Sequence, residues 1–170
     1  NFDHGSGNHN LSLSGNKEKQ VRLLSLLTAA GINAFNPENI IDRIWKKFFR
    51  ISTAATLTSY YNLPIGKVLD LHTDDLLALA DEFIAVATAM GISFPPNSRD
   101  EIIEGQRKMP YNSTTSMHSD FLKGAQTELE SITGYIVQCA KDLNIEVPCY
   151  LRMYNELKTN YTNIYNNPNN

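Results

Sequence analysis

The sequence predicts an all-α helical bundle preceded by a short strand-and-helix piece of an α/β unit. Two observations predict it. From about residue 37 onward, apolar residues recur at spacings of three and four between recognisable helix caps. Before that point the chain offers one short alternating stretch, one helix and a brief extended run, too little to bury a core of its own. Composition is consistent with this: 170 residues, 42% hydrophobic and 19% charged with a net charge of −3, describe a globular chain rather than a disordered or collagenous one.

The elements follow in order. Gly5, Gly7, His4 and His9 lie in a polar loop that closes on Leu11-Ser12-Leu13-Ser14, an alternation that predicts a short strand. Val21, Leu24 and Leu27, with Leu23, Leu26 and Ala30, give a helix from Lys17, capped by Asn16 and terminated at Gly31. A brief apolar run, Ile32 to Phe35, comes next. Residues 1–36 are therefore expected to be the tail of an α/β domain, residues 37–166 a helical domain, and residues 167–170 a frayed end.

Asn36 as N-cap, Pro37 at the first helical position and Glu38 against the helix dipole open a long helix that runs to Tyr61. Thr73 is expected to cap the next, with Leu76, Ala80, Phe83, Ala87, Leu77 and Ile84 as its buried stripe and Gly91 as its end. Ser98 with Glu101, and Thr127 with Glu130, have the spacing of capping boxes. Between them lie Pro110 and a short segment from Ser116 to Lys123. Leu129, Ile132, Ile136, Ala140 and Leu143 form the stripe of the penultimate helix; Leu151, Tyr154, Leu157 and Tyr161 form that of the last.

Several function classes fall away. No apolar run approaches the ~18 residues of a membrane-spanning helix. Cys139 and Cys149 are too few for a disulfide framework or a four-ligand zinc site, which makes a reducing cytoplasm the expected compartment. The acidic balance argues against a nucleic-acid partner. Gly5-Ser6-Gly7 lacks the third glycine of a dinucleotide loop, and no strand precedes it. Ser116, His118 and Asp120 cannot form a relay, because residues two apart on a helix point in divergent directions.

Two residues remain as chemical candidates. Arg43, Lys46, Lys47 and Arg50 lie along one side of the first long helix, with Ile41, Trp45, Phe48 and Ser52 opposite. Lys47 falls where the sides meet, near Ile44, Ile51 and Ala55. The simpler reading is a solvated basic face with a snorkelling lysine; the sharper one is an ammonium in a partly dry cleft that pairs with a carboxylate or donates a proton. Glu128 shares a helical face with Ile132, Ile136 and Cys139. It is explained either by the helix dipole or as an acid facing a ligand.

Five segments then stand in register: Trp45-Lys46-Lys47; Leu63-Pro64-Ile65-Gly66; Thr115-Ser116-Met117-His118-Ser119-Asp120; Thr127-Glu128-Leu129-Glu130 with Ile132-Thr133-Gly134; and Ile145-Glu146-Val147-Pro148. In order and spacing they resemble the C-terminal half of ketopantoate reductases (2-dehydropantoate 2-reductases) over residues 39 to about 160. The resemblance implies a bundle like the C-terminal domain of 6-phosphogluconate dehydrogenase. Residues 1–36 would then end an NADP-binding Rossmann domain whose phosphate loop lies upstream, so that this chain alone is inactive.

It further implies NADPH-dependent reduction of a 2-keto acid, with Lys47 as general acid, Ser116 and Asn112 binding substrate, and Glu128 meeting the cofactor. No metal site is expected, since His4 and His9, with Asp3 nearby, read as a solvated loop rather than a ligand set; a homodimer is among the expected assemblies. Where the family has substrate-binding asparagines, this chain has Ile51, Ala55 and Ile65. Either the substrate is a more apolar keto acid, or Asn112, Ser113 or Thr58 supply the missing contacts. From a different class, a non-catalytic helical module for dimerisation or domain packing would also account for the missing loop and asparagines.

Overall fold

The long helix expected at the start of the bundle is α2, Ile40–Tyr61, and its two halves differ in chemistry. Its first half is amphipathic; from Ser52 to Ser59 every residue is buried. Such a run of serine, threonine and alanine around one leucine is possible in a core because the side chains are short and every hydroxyl but that of Ser59 finds a partner. In this computed structural model the described residues are 11–12, 17–32, 34–35 and 40–166. The expected caps at Asn16, Asn36, Pro37 and Glu38, the histidines His4 and His9, and residues 167–170 lie outside them.

The chain forms two compact units, Asn1–Ile44 and Trp45–Asn170. In the first, β1 (Leu11–Ser12) and β2 (Ala34–Phe35) pair in parallel, Leu11 with Ala34 and Ser12 with Phe35, and α1 (Lys17–Ala29) provides the crossover that a parallel pair requires. Val21, Leu23 and Leu26 of α1 are 65%, 43% and 60% exposed, so much of its apolar surface has no cover.

In the second unit α2 is joined by α3 (Ile65–Leu71), α4 (Thr73–Ala89), α5 (Ser98–Arg107), α6 (Ser116–Lys123), α7 (Leu129–Asp142) and α8 (Pro148–Asn166). The all-α bundle with its α/β fragment is thus as the sequence predicts. The core centres on α4, whose Leu76, Leu79, Ala80, Phe83, Val86 and Ala87 are fully buried. Phe83 stacks on Phe49 at 4.8 Å and meets Trp45 and Phe48 edge-on at 5.6 and 5.5 Å. Those aromatic pairs fasten the first half of α2 to α4.

Four hydroxyls on α2 then each reach a different neighbour. Ser52 bonds the Tyr150 hydroxyl of α8 at 2.9 Å. Thr53, which donates to the Phe49 carbonyl, accepts from the Gln106 amide of α5 at 2.9 Å. Thr56 pairs with Thr133 of α7 at 2.8 Å, and Thr58 with Thr115, the N-cap of α6, at 3.0 Å.

Several expected details are corrected. Ile41 is 49% exposed rather than on the buried side of α2. On α4 Leu79 and Val86 are fully buried while Leu77 is only half-buried, and Leu143 and Leu151 are exposed; α8 buries Leu157 as expected, together with Tyr150 and Met153. Thr73 begins α4 from inside the helix, and its hydroxyl donates back to the Leu69 carbonyl. Neither capping box forms: Glu101 accepts from the Asn97 side chain, and Glu130 from Tyr154 and Lys158.

Helix α3 was not foreseen, because its start is capped by distant backbone. The amides of Ile65 and Gly66 donate to the carbonyls of Ser113 and Tyr111 at 2.9 and 3.0 Å. The same logic starts α8, where Glu82 of α4 accepts from the Cys149 and Tyr150 amides at 2.7 and 2.9 Å. Burial pushes the Glu82 carboxyl above the usual carboxylate range, against the lowering effect of those two amides.

A Cβ on Gly66 would lie 2.2 to 2.6 Å from the Tyr111 ring. Gly66→Ala is therefore expected to destabilise the unit by roughly 1–3 kcal/mol through overpacking. Urea denaturation would measure this, and adding Tyr111→Ala to the same chain should recover part of the loss.

Candidate active site

Between the middle of α2 and the helices facing it lies a cavity of about 660 Å³, open to solvent and walled mainly by apolar surface. Phe48, Arg50, Ile51, Ala54 and Ala55 of α2 form one side. Gly105 and Gln106 of α5, with Met109 just beyond, form a second; Thr115 and Ser116 a third; Glu128, Ser131 and Ile132 at the start of α7 the last. The opening exists because Ala54 and Ala55 are too short to fill the space between α5 and α7. Its volume is in the range that holds a small organic ligand.

Ser116 and Glu128, singled out from the sequence, meet on this wall. Both are exposed. Lys47 does not line the cavity, and its side chain is exposed. It stands one turn before Ile51 and two before Ala55 on the same helical face, so it extends the row that the wall presents. Asn112 is exposed and outside the wall. Thr58 is fully buried with its hydroxyl committed to Ala54 and Thr115, and Ser113 donates to the Pro110 carbonyl. None of these three replaces an amide in the cavity. Ile65, 1% exposed, is a core residue at the start of α3 and is likewise absent from the wall.

Ser116 is aimed by its surroundings. Thr115 caps α6 by accepting from the His118 amide at 3.3 Å while bonding Thr58 of α2. His118 turns away from the cavity: its Nε2 lies 2.8 Å from Asn62 Oδ1, and its Nδ1 meets the Thr114 hydroxyl. A neutral ring carrying its proton on Nε2 satisfies both partners. Ser116 and His118 therefore face different parts of the molecule, and no relay with Asp120 exists. Two cavity residues escaped the sequence reading. Arg50 appeared there only as part of a solvated stripe, and Gln106 had no periodic or motif signal.

Residues 39–161 match the family described as ketopantoate reductase PanE/ApbA, C terminal. The chain belongs to that family. A 2-dehydropantoate 2-reductase of Pyrococcus abyssi is 32% identical to it over 84% of this chain and 48% of that protein. The uncharacterized oxidoreductase YkpB of Bacillus subtilis is 27% identical over 84% of this chain and 49% of its own length. This family member thus spans about half the length of the curated relatives it matches. Among solved structures, 2-dehydropantoate 2-reductase of Porphyromonas gingivalis W83 is 36% identical with a TM-score of 0.70, covering 88% of this chain and 46% of that one. A family ketopantoate reductase from Ralstonia eutropha JMP134 (TM-score 0.83, 21% identity, 93% and 53% coverage) shares the fold. So does D-mandelate dehydrogenase in complex with NADH and anilino(oxo)acetate (0.77, 19%, 91% and 66%). No helix among the described residues is long and apolar enough to cross a membrane, and none of their acidic, histidine or cysteine side chains form a metal cluster.

Burial lowers the His118 pKa from its ordinary value of 6.5. The unfolded chain then binds more protons than the folded one, so His118 subtracts stability as pH falls below about 6.5, by at most ~1.4 kcal/mol per pH unit. Urea midpoints taken from pH 7.5 to pH 5 should decline in the wild type and decline less in His118→Gln.

Proposed function

We propose that this chain is the substrate-binding half of an NADPH-dependent 2-keto acid reductase. Ser116 binds substrate, Glu128 meets the nicotinamide end of the cofactor, and Lys47 acts as general acid. The supporting observation is that Ser116 and Glu128, twelve residues apart on separate helices, share one cavity wall with Ile51 and Ala55, in line with Lys47. In this reading residues 1–36 close a nucleotide-binding domain and residues 37–166 form the helical domain. The dimer named for the Staphylococcus aureus ketopantoate reductase is the expected assembly here too.

The residues present suit one end of such a cofactor. Glu128 forms no ion pair among the described residues, and its carboxylate can accept from the carboxamide N–H or ribose O–H of a nicotinamide nucleotide. It would repel phosphates, so it suits the nicotinamide end and not the pyrophosphate. When bound, the reduced nicotinamide supplies a hydride. As the keto carbon receives it, the C=O π pair moves onto oxygen and takes a proton from Lys47 Nζ. The products are a hydroxy acid and a neutral amine, which solvent reprotonates. The ammonium also stabilises the negative charge that grows on that oxygen.

In the intact protein, Lys47→Ala should reduce kcat for keto acid reduction by roughly 10²–10⁴-fold with the fold unchanged, as general acid loss does. NADPH oxidation assays with circular dichroism as control would check this, and undiminished turnover would eliminate the assignment. The isolated 170-residue chain is expected to oxidise no NADPH.

A further inference from the structure

The cavity replaces polar recognition with a different pattern. Ile51, Ala54, Ala55 and Ile132 present hydrocarbon to it, and among the described residues the only cation on its wall is Arg50. Among the described residues Arg50 forms no ion pair, although Glu128 lies on the same wall. Opposite charges that face one cavity without meeting leave room for a ligand between them. The stem of Arg50 runs beside α5: its Cδ would be 3.5 Å from a Cβ at Gly105, an ordinary contact distance. Beside it Gln106 is 1% exposed and spends its amide N–H on Thr53, leaving Oε1 without a partner. Among the described residues the wall around Arg50 therefore holds an exposed cation outside any ion pair and, buried beside it, an acceptor without a hydrogen-bond partner.

We infer that Arg50 anchors the substrate carboxylate while Ile51, Ala54, Ala55 and Ile132 enclose a bulky apolar side chain, making the substrate a branched or aromatic 2-keto acid. The inference rests on the keto acid reading above. A planar guanidinium matches a carboxylate with two parallel hydrogen bonds, which a neutral amide cannot do. Apolar walls favour hydrocarbon and penalise a second charge left without a partner.

The test is a titration of the intact protein with 3-methyl-2-oxobutanoate, phenylpyruvate and 2-oxoglutarate, read from the Ile51 and Ile132 methyl resonances. The two apolar acids should bind at least about tenfold more tightly than the dicarboxylate. Arg50→Gln should weaken them roughly 10- to 100-fold, the loss of a charge-assisted bond, and Arg50→Lys should restore part of that. The uncharged 3-methyl-2-oxobutanamide should bind wild type and Arg50→Gln alike. Unchanged binding of the apolar acids to Arg50→Gln, or preference for 2-oxoglutarate, would overturn the inference. The titration needs no hydride transfer. Absent turnover in the wild type would therefore count against the reductase reading alone, whereas Lys47-dependent turnover with an Arg50→Gln KM equal to wild type would count against Arg50 alone.

Discussion

The bundle depends on the second half of α2, a helix surrounded on every side yet built from serine, threonine and alanine. Burying hydroxyls is unfavourable unless each is bonded, and here Ser52, Thr53, Thr56 and Thr58 bond α8, α5, α7 and the cap of α6 respectively. Short side chains let four helices approach closely, and the directional bonds select one rotation and one height for each. A leucine-rich helix would have filled the volume without that selection. Where the row turns to Ala54 and Ala55 no side chain spans the gap, and the cavity opens there.

The same economy of local signals governs the helix ends. α3 starts on amides bonded to the carbonyls of Ser113 and Tyr111, and α8 on amides bonded to Glu82. These partners are 45 to 68 residues away in the chain. Glu101 and Glu130 have the spacing to cap their own helices, but one bonds an exposed amide and the other joins Tyr154 and Lys158. At Glu130 tertiary partners that are already oriented outcompete the local cap, since little further ordering is needed to form the bond, whereas at Glu101 the competitor is another local side chain, Asn97 four residues earlier.

In the cavity, a serine and a carboxylate resemble the family pattern while the hydrocarbon at positions 51 and 55 departs from it. Not every departure carries the same meaning. Ile65 lies in the core, where apolar character serves packing, whereas Ile51 and Ala55 face the ligand space. Only the latter two shape what the cavity can hold.

Period and spacing alone determine the helical bundle, the leading α/β fragment and the interest of Glu128 and Lys47, because each is a property of neighbouring residues, whereas Ser116 stands out only through the family resemblance. The stripe of α4 was legible for the same reason, with errors at Leu77 and Val86 where a helix is buried over more than one face. Other features lay beyond it. Which hydroxyl meets which helix, why α3 exists, that Asn112 stands outside the wall while Arg50 and Gln106 stand within it: these depend on side chains brought together across the fold, and only tertiary packing decides which surfaces close and which stay open.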